Sequence, residues 1–348
     1  MHPNDSPRAI RTSVALSRHD HVRYIRVRGD GAATALARVV PRRLYVRDGQ
    51  LLPTLLLRED GRIFADCMVG ADEDDFFLLC EGPSGHELVT WLRAHCDGVD
   101  DVEFVDESAA RSLVGLDGPY AWELLAGWAG QEVVGLPYLT FFHLDDVLCC
   151  RTGKTGEYGY LLSTPSSERD RLEGTLRELG EAFDVGEAGL AELDQCALEN
   201  WFFNIRREGR ADVGPLEAQL QWRISRDRTF VGSDALREHR LGGVRRRATT
   251  ILGRDLLVVG DRVTLADTPV GEVVNAGFCE ARDEWVGLAL LDVEVALPGV
   301  GGLRVGEAGH EARSVTPPVL DNRSLYVNPQ VHSYASRHED AFPPLVRR

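Results

Sequence analysis

Residues 151–159 read Arg151-Thr-Gly-Lys-Thr-Gly-Glu-Tyr-Gly159, a glycine-punctuated turn entered from the apolar, strand-like stretch Asp146–Thr152. Its Gly153-Lys154-Thr155 triplet suggests a phosphate-binding loop. Such a loop needs a glycine five residues before its last one, and that position is Leu148, so a phosphate cradle is excluded. Lys154 is also the only lysine in a chain of 348 residues whose other 38 basic residues are arginine. Drift toward arginine codons accounts for the 38. The exception stands where a side chain able to lose its proton differs in kind from arginine.

Outward from this loop the chain divides by texture. Toward the N-terminus, Val22–Val27, Thr54–Arg58, Arg62–Val69 and Asp75–Cys80 read as strands, with hairpin turns at Glu59–Arg62 and Ala71–Asp75. Ser84 with Glu87 forms a capping box ahead of a helix to about Cys96. A second unit repeats this rhythm. Gly118-Pro119 opens a helix through Trp128, and Thr164-Pro165 is expected to cap and start a helix that stops at Gly180. Residues Gly189 to Phe203 carry apolar positions at helical spacing, and a polar loop, Asn204–Asp212, follows. After Arg245 the texture changes to short glycine-separated strands, as in a small barrel or sandwich. The expected division is 1–115 and 116–240 as two α+β domains, the first open to completion by later helices, then 245–320 as a β-domain and 321–348 as a tail.

Composition narrows the function. The formal net charge is −16, which speaks against nucleic acid or an anionic membrane surface as partner, since both want a basic face. Seven cysteines without metal-ligand spacing read as buried free thiols rather than a zinc site or disulfide framework. The first twenty residues lack an apolar core and the longest uncharged apolar run, Val133–Leu144, is short of a bilayer span. The expectation is a soluble cytoplasmic protein with no metal site. Composition does not set an oligomeric state.

Three segments, in order, resemble the aminomethyltransferase (T-protein) superfamily of the glycine cleavage system and its folate-dependent demethylase relatives. Gly61-Arg-Ile-Phe-Ala-Asp66-Cys-Met-Val69 is similar to the family's Gly-Gly-Ile-hydrophobic-Asp-Asp-Leu-Ile-Val, and residues 151–159 to its Arg-Thr-Gly-Tyr-Thr-Gly-Glu-Asp-Gly. Pro215-Leu-Glu-Ala-Gln-Leu-Gln-Trp222, then Phe230-Val-Gly-Ser-Asp-Ala-Leu236, is similar to its Pro-Leu-Glu-Ala-Gly-Leu-Gly-Trp and Phe-Ile-Gly-Lys-Glu-Ala-Leu. The resemblance implies an α+β cloverleaf: two α+β domains and a C-terminal β-domain around a central folate channel.

It also implies site residues. Asp66 takes the family's catalytic aspartate position, and His21 the histidine of Asp-Val-Ser-His. Glu157, Tyr158, Glu199 and Trp222 fall at or beside family ligand positions. The departures are specific: the pterin-binding glutamate is Leu161, the pterin-binding arginine is Leu193, and the motif tyrosine is Lys154. The family's Phe-x-Gly-Trp-x-Met-Pro segment has no counterpart. In the Asn204–Asp212 loop the Lys-Gly-Cys signature of folate-binding iron–sulfur assembly proteins is absent.

Two functions follow as expectations. The first is transfer of a one-carbon or methyl unit between a small amine or methylated metabolite and tetrahydrofolate, with Asp66 as acid or base. The second is a repurposed, folate-independent enzyme of specialised metabolism. It would use Asp66 and a lysine of lowered pKa at 154 on an organic substrate, in a pocket made apolar by Leu161 and Leu193.

Overall fold

The structure is a computed structural model that describes residues 8–209 and 213–346. The chain opens with α1 (Arg8–Thr12), β1 (Ala15–Arg18), β2 (Arg23–Arg28), α2 (Ala32–Val39), β3 (Leu51–Leu57), β4 (Ile63–Asp72), β5 (Asp75–Glu81), α3 (Gly85–His95) and β6 (Glu103–Asp106). Five of these strands form one sheet in the order β3-β4-β5-β2-β6. The period-two rule sorts β4 cleanly: Ala65, Cys67 and Val69 pack under α2 and α3, while Asp66 and Met68 point to the other face. The capping box is present, with Ser84 accepting from the Glu87 backbone N–H and the Glu87 carboxylate accepting from the Ser84 N–H.

The second unit contains β7 (Arg111–Asp117), α4 (Ala121–Ala129), β8 (Phe141–Leu144), β9 (Val147–Cys150), β10 (Gly159–Pro165), α5 (Arg169–Gly180), β11 (Gly186–Ala188) and α6 (Leu190–Asn200). Its sheet runs β11-β1-β7-β10-β9-β8, so β1 leaves its sequence neighbours to pair with β7 and, in parallel, with β11. One local expectation fails. Pro165 does not start a helix; it ends β10 opposite Arg111, and a single 3₁₀ turn precedes α5. The continuing ladder from Gly159 to Pro165 holds the chain extended past the point where its local signal favours a turn.

After α7 (Ser233–Gly242) come β12 (Arg246–Gly253), β13 (Arg262–Leu265), β14 (Thr268–Cys279), β15 (Glu284–Asp292), β16 (Leu303–Val305) and β17 (His310–Ser314), closed into a six-stranded barrel. Closure leaves no edge strand exposed. The described part of the tail is not loose. Val327 and Tyr334 are buried in the core beneath α4 and α5.

The two open sheets meet through their helix-free faces. Tyr24, Phe77 and Leu79 from the first pack against Leu113, Leu148 and Leu161 from the second. Where this packing stops, a cavity of about 630 Å³ remains. No helix among the described residues is long and apolar enough to cross a membrane. All seven cysteines are buried and unbridged.

Candidate active site

The cavity is walled by β4 and β5 on one side, the 152–155 loop and β10 on the second, α6 on the third, and residues 218–223 on the fourth. From α6 it takes Leu193, Asp194, Ala197 and Asn200, the stripe that a helix presents on one face, with Trp201 at the helix end.

Asp66 is buried and both its oxygens are held. Arg223 Nη1 donates to Oδ1 at 2.6 Å and Lys154 Nζ to Oδ2 at 2.8 Å. The same ammonium donates to Glu81 Oε1 at 2.6 Å. Glu81 also binds Arg206, and His21 Nε2 lies 3.7 Å away. Arg206 reaches on to Asp194, which further accepts from Arg207 at 3.0 Å and Asn204 at 2.6 Å. A chain of alternating charges therefore runs from Arg223 through Asp66, Lys154, Glu81 and Arg206 to Asp194.

Burial opposes ionisation of Glu81, but Lys154 and Arg206 outweigh it and hold its pKa down at about 2. Burial likewise opposes the charge on Lys154, and Asp66 and Glu81 reverse the balance, raising its pKa above the ordinary lysine value. The lowered-pKa lysine expected from the sequence is therefore not what the site contains: Lys154 is a doubly paired ammonium. Burial pushes His19 down to about 3, so that ring stays neutral beside this network, and burial lowers His21 as well.

The other sequence candidates separate. Leu161 and Leu193 line the cavity, as does Trp222, which is 58% exposed at its rim with the Arg223 guanidinium 4.9 Å from its ring. Glu157, Glu199 and Tyr158 do not line it. Glu157 and Glu199 both pair with buried Arg11, and Glu157 also accepts from the backbone N–H groups of Arg323 and Ser324. Tyr158 donates to the Val327 carbonyl at 3.0 Å. Glu157 and Tyr158 fasten α1 and the tail to the glycine-rich loop, and Glu199 ties α1 to α6, so the structure places all three outside the cavity.

Arg206 and Arg207 of the polar loop after α6 are in the charge chain; Arg210 of that loop lies outside the described residues. Glu81 was missed, although a signal existed. With the hairpin tip fixed between Asp72 and Asp75, six residues back and six residues on bring Asp66 opposite Glu81. Arg11, Asp117 and Arg223 carry no comparable local signature.

Comparison with known proteins agrees with this fold. The model of the GCVT N-terminal domain matches residues 3–228. The chain belongs to the GCVT aminomethyltransferase family. Aminomethyltransferase from Chlorobaculum parvum is 31% identical over 241 residues, 66% of each chain. The Mycobacterium leprae (strain Br4923) aminomethyltransferase is 29% identical over 326 residues, 90% of this chain and 87% of its own. In fold, the glycine cleavage system aminomethyltransferase T from Bartonella henselae superposes with a TM-score of 0.81 at 23% identity, covering 90% of this chain and 88% of that one. The GCVT family is an enzyme family of transferases, folate-dependent in its known members.

Proposed function

We propose that this GCVT member transfers a one-carbon or methyl unit between a small amine or other methylated metabolite and tetrahydrofolate. The observation that carries the reading is a carboxylate, Asp66, fixed at both oxygens on the wall of a roomy cavity in a chain of this family. The residues present fit the cofactor. Tyr138, Tyr160, Leu161, Leu193 and Trp222 offer flat or apolar surface to a heteroaromatic ring, and the lining includes a carboxyl with no ion-pair partner among the described residues, Asp117. Bound tetrahydrofolate supplies the nitrogen that accepts or gives the one-carbon unit.

The chain's own groups do the rest. Arg223 and Lys154 keep Asp66 pointed into the cavity, so its orientation is set before substrate arrives. A proton leaving the reacting amine is taken up at Asp66 Oδ2, because Lys154 retains its second bond, to Glu81, when that oxygen is engaged. The apolar walls at Leu161 and Leu193 exclude water from the reacting atoms.

The leucines at 161 and 193 also support a second reading, an enzyme that uses Asp66 on an organic substrate without folate. Calorimetric titration with tetrahydrofolate separates the two. Micromolar binding is expected, and no detectable heat at millimolar ligand would leave only the second. Turnover with a labelled methyl donor, read as label on folate, tests the transfer itself.

A further inference from the structure

Four carboxyl groups line the cavity: Asp66, Glu81, Asp117 and Asp194. Three are consumed by lysine or arginine partners. Asp117, at the end of β7, has no ion-pair partner among the described residues, though it is only 4% exposed. Thr155 Oγ1 donates to its Oδ1 at 2.9 Å. Its Oδ2 has no protein donor among the described residues.

The sheet register places this carboxyl. Asp117 pairs with Gly159 and Gly115 pairs with Leu161, so Asp117 and Leu161 share one face as diagonal neighbours across β7 and β10. Space is kept open around it by missing side chains. A Cβ at Gly153 or Gly159 would come within 3.0 or 2.9 Å of Asp117 Oδ1. The carboxyl thus sits in a notch cut by two glycines, next to a leucine, on the wall of a cavity otherwise supplied with spent carboxylates.

A carboxyl oxygen that faces the cavity without a protein donor is free to accept, and a ligand presenting two coplanar N–H donors engages both oxygens. We infer that Asp117 anchors the donor edge of a bound 2-aminopyrimidinone ring, the cyclic guanidine of a pterin, from the β7 side of the face on which Leu161 offers no acceptor. The inference rests on the folate reading above and assigns that site a residue of its own. Groups that face Asp117 from the elements around it are Arg11 on α1, Cys196 on α6, Arg151 after β9, and Glu157 with Thr155 in the glycine-rich loop. His19 lies against Gly115 on the same face.

The probe is 6-methyltetrahydropterin, which has the ring but no glutamate tail, titrated calorimetrically under anaerobic conditions into the whole protein. Asp117→Asn keeps the shape and one acceptor but loses the charge and half the bidentate pair. It is expected to weaken the probe at least about tenfold. A second measurement needs no variant. Burial pushes the Asp117 carboxyl up to about 7 against the Thr155 hydrogen bond, so wild-type affinity rises about tenfold from pH 6 to pH 8 as the acceptor ionises. Equal affinity in Asp117→Asn, or a flat profile over that range, overturns the assignment. Pterin binding that depends on Asp117 without label transfer to folate would overturn the proposed reaction and leave the anchor standing.

Discussion

Asp66 on β4 and Glu81 on β5 stand directly opposite one another in the hairpin ladder, and a single ammonium, Lys154 Nζ, bonds to both. Two like charges at opposed positions repel. Here the repulsion is answered from three other parts of the chain, by Lys154 between them and by Arg223 and Arg206 on their outer sides. The acidic pair is therefore a built feature of this cavity, and the one lysine is the piece that joins its halves.

Lys154→Met removes the shared cation and leaves two facing carboxylates. With the lysine side chain a third exposed, a loss of about 1–3 kcal/mol is expected from denaturant unfolding. Glu81 ionises at about 2 in the folded protein, below its value in an unfolded chain. It contributes stability above the unfolded pKa that is lost as pH falls toward 2. The variant, with Glu81 closer to an ordinary carboxyl, gives up part of that stability. The stability gap between wild type and Lys154→Met is thus expected to narrow as pH drops from about 5 to 2. Lys154→Arg preserves the charge and is expected to recover most of the stability and the activity. A folded Lys154→Arg without activity would show that the proton on Nζ, not its charge, does the work.

Asp66→Asn tests the carboxylate itself. Asparagine keeps one acceptor for Arg223 or Lys154, so the fold is expected to survive with a loss of about 1–3 kcal/mol. Turnover is expected to fall about 10²- to 10⁴-fold with ligand binding changed far less. The check is single-turnover label transfer beside calorimetric affinity. Turnover within about threefold of wild type would remove Asp66 from the chemistry.

Much of this arrangement was legible in the residues. Alternation along Ile63–Asp72 separates the face that carries Asp66 from the face that carries Cys67, and the hairpin tip fixes what opposes each. What local pattern did not contain was partnership over long sequence separation. Glu157 and Glu199 look like ligand groups until Arg11, from the far end of the chain, is seen to pair with both. Asp117 looks like one residue of a Leu-Asp-Gly-Pro turn until the ladder sets it beside Leu161. The direction of the Lys154 shift was likewise out of reach, because it depends on two carboxylates brought in by a different sheet.

Arg11→Met separates scaffold from site. The buried guanidinium bonds to the Thr155 carbonyl at 2.6 Å, Asn322 Oδ1 at 2.8 Å and Glu199 Oε2 at 2.5 Å, and lies 3.5 Å from Glu157. Its removal leaves two buried carboxylates without their cation, an expected loss of about 3–5 kcal/mol. Amide exchange at Arg323 and Ser324, whose N–H groups bond to Glu157, is expected to speed up. Probe affinity in the folded fraction should stay within about twofold. A large drop would show that Arg11, which also faces Asp117, acts on the ligand site.

Glu208 gives the molecule an opposite pH response. Its oxygens accept from the Asn204 N–H at 2.9 Å and Asn275 Nδ2 at 3.1 Å, yet burial pushes its pKa up to about 7. The folded protein holds this proton over a range in which the unfolded chain has lost it. The stability so gained is complete below the unfolded carboxyl pKa and drains away as pH rises to about 7. Glu208→Gln keeps the size and cannot ionise. Against wild type it is expected to be less stable at pH 5 and to gain about 1–3 kcal/mol on wild type by pH 8. Chemical unfolding at the two pH values reads the difference, and a gap that does not change between them would mean that Glu208 is already ionised in the folded state at pH 5.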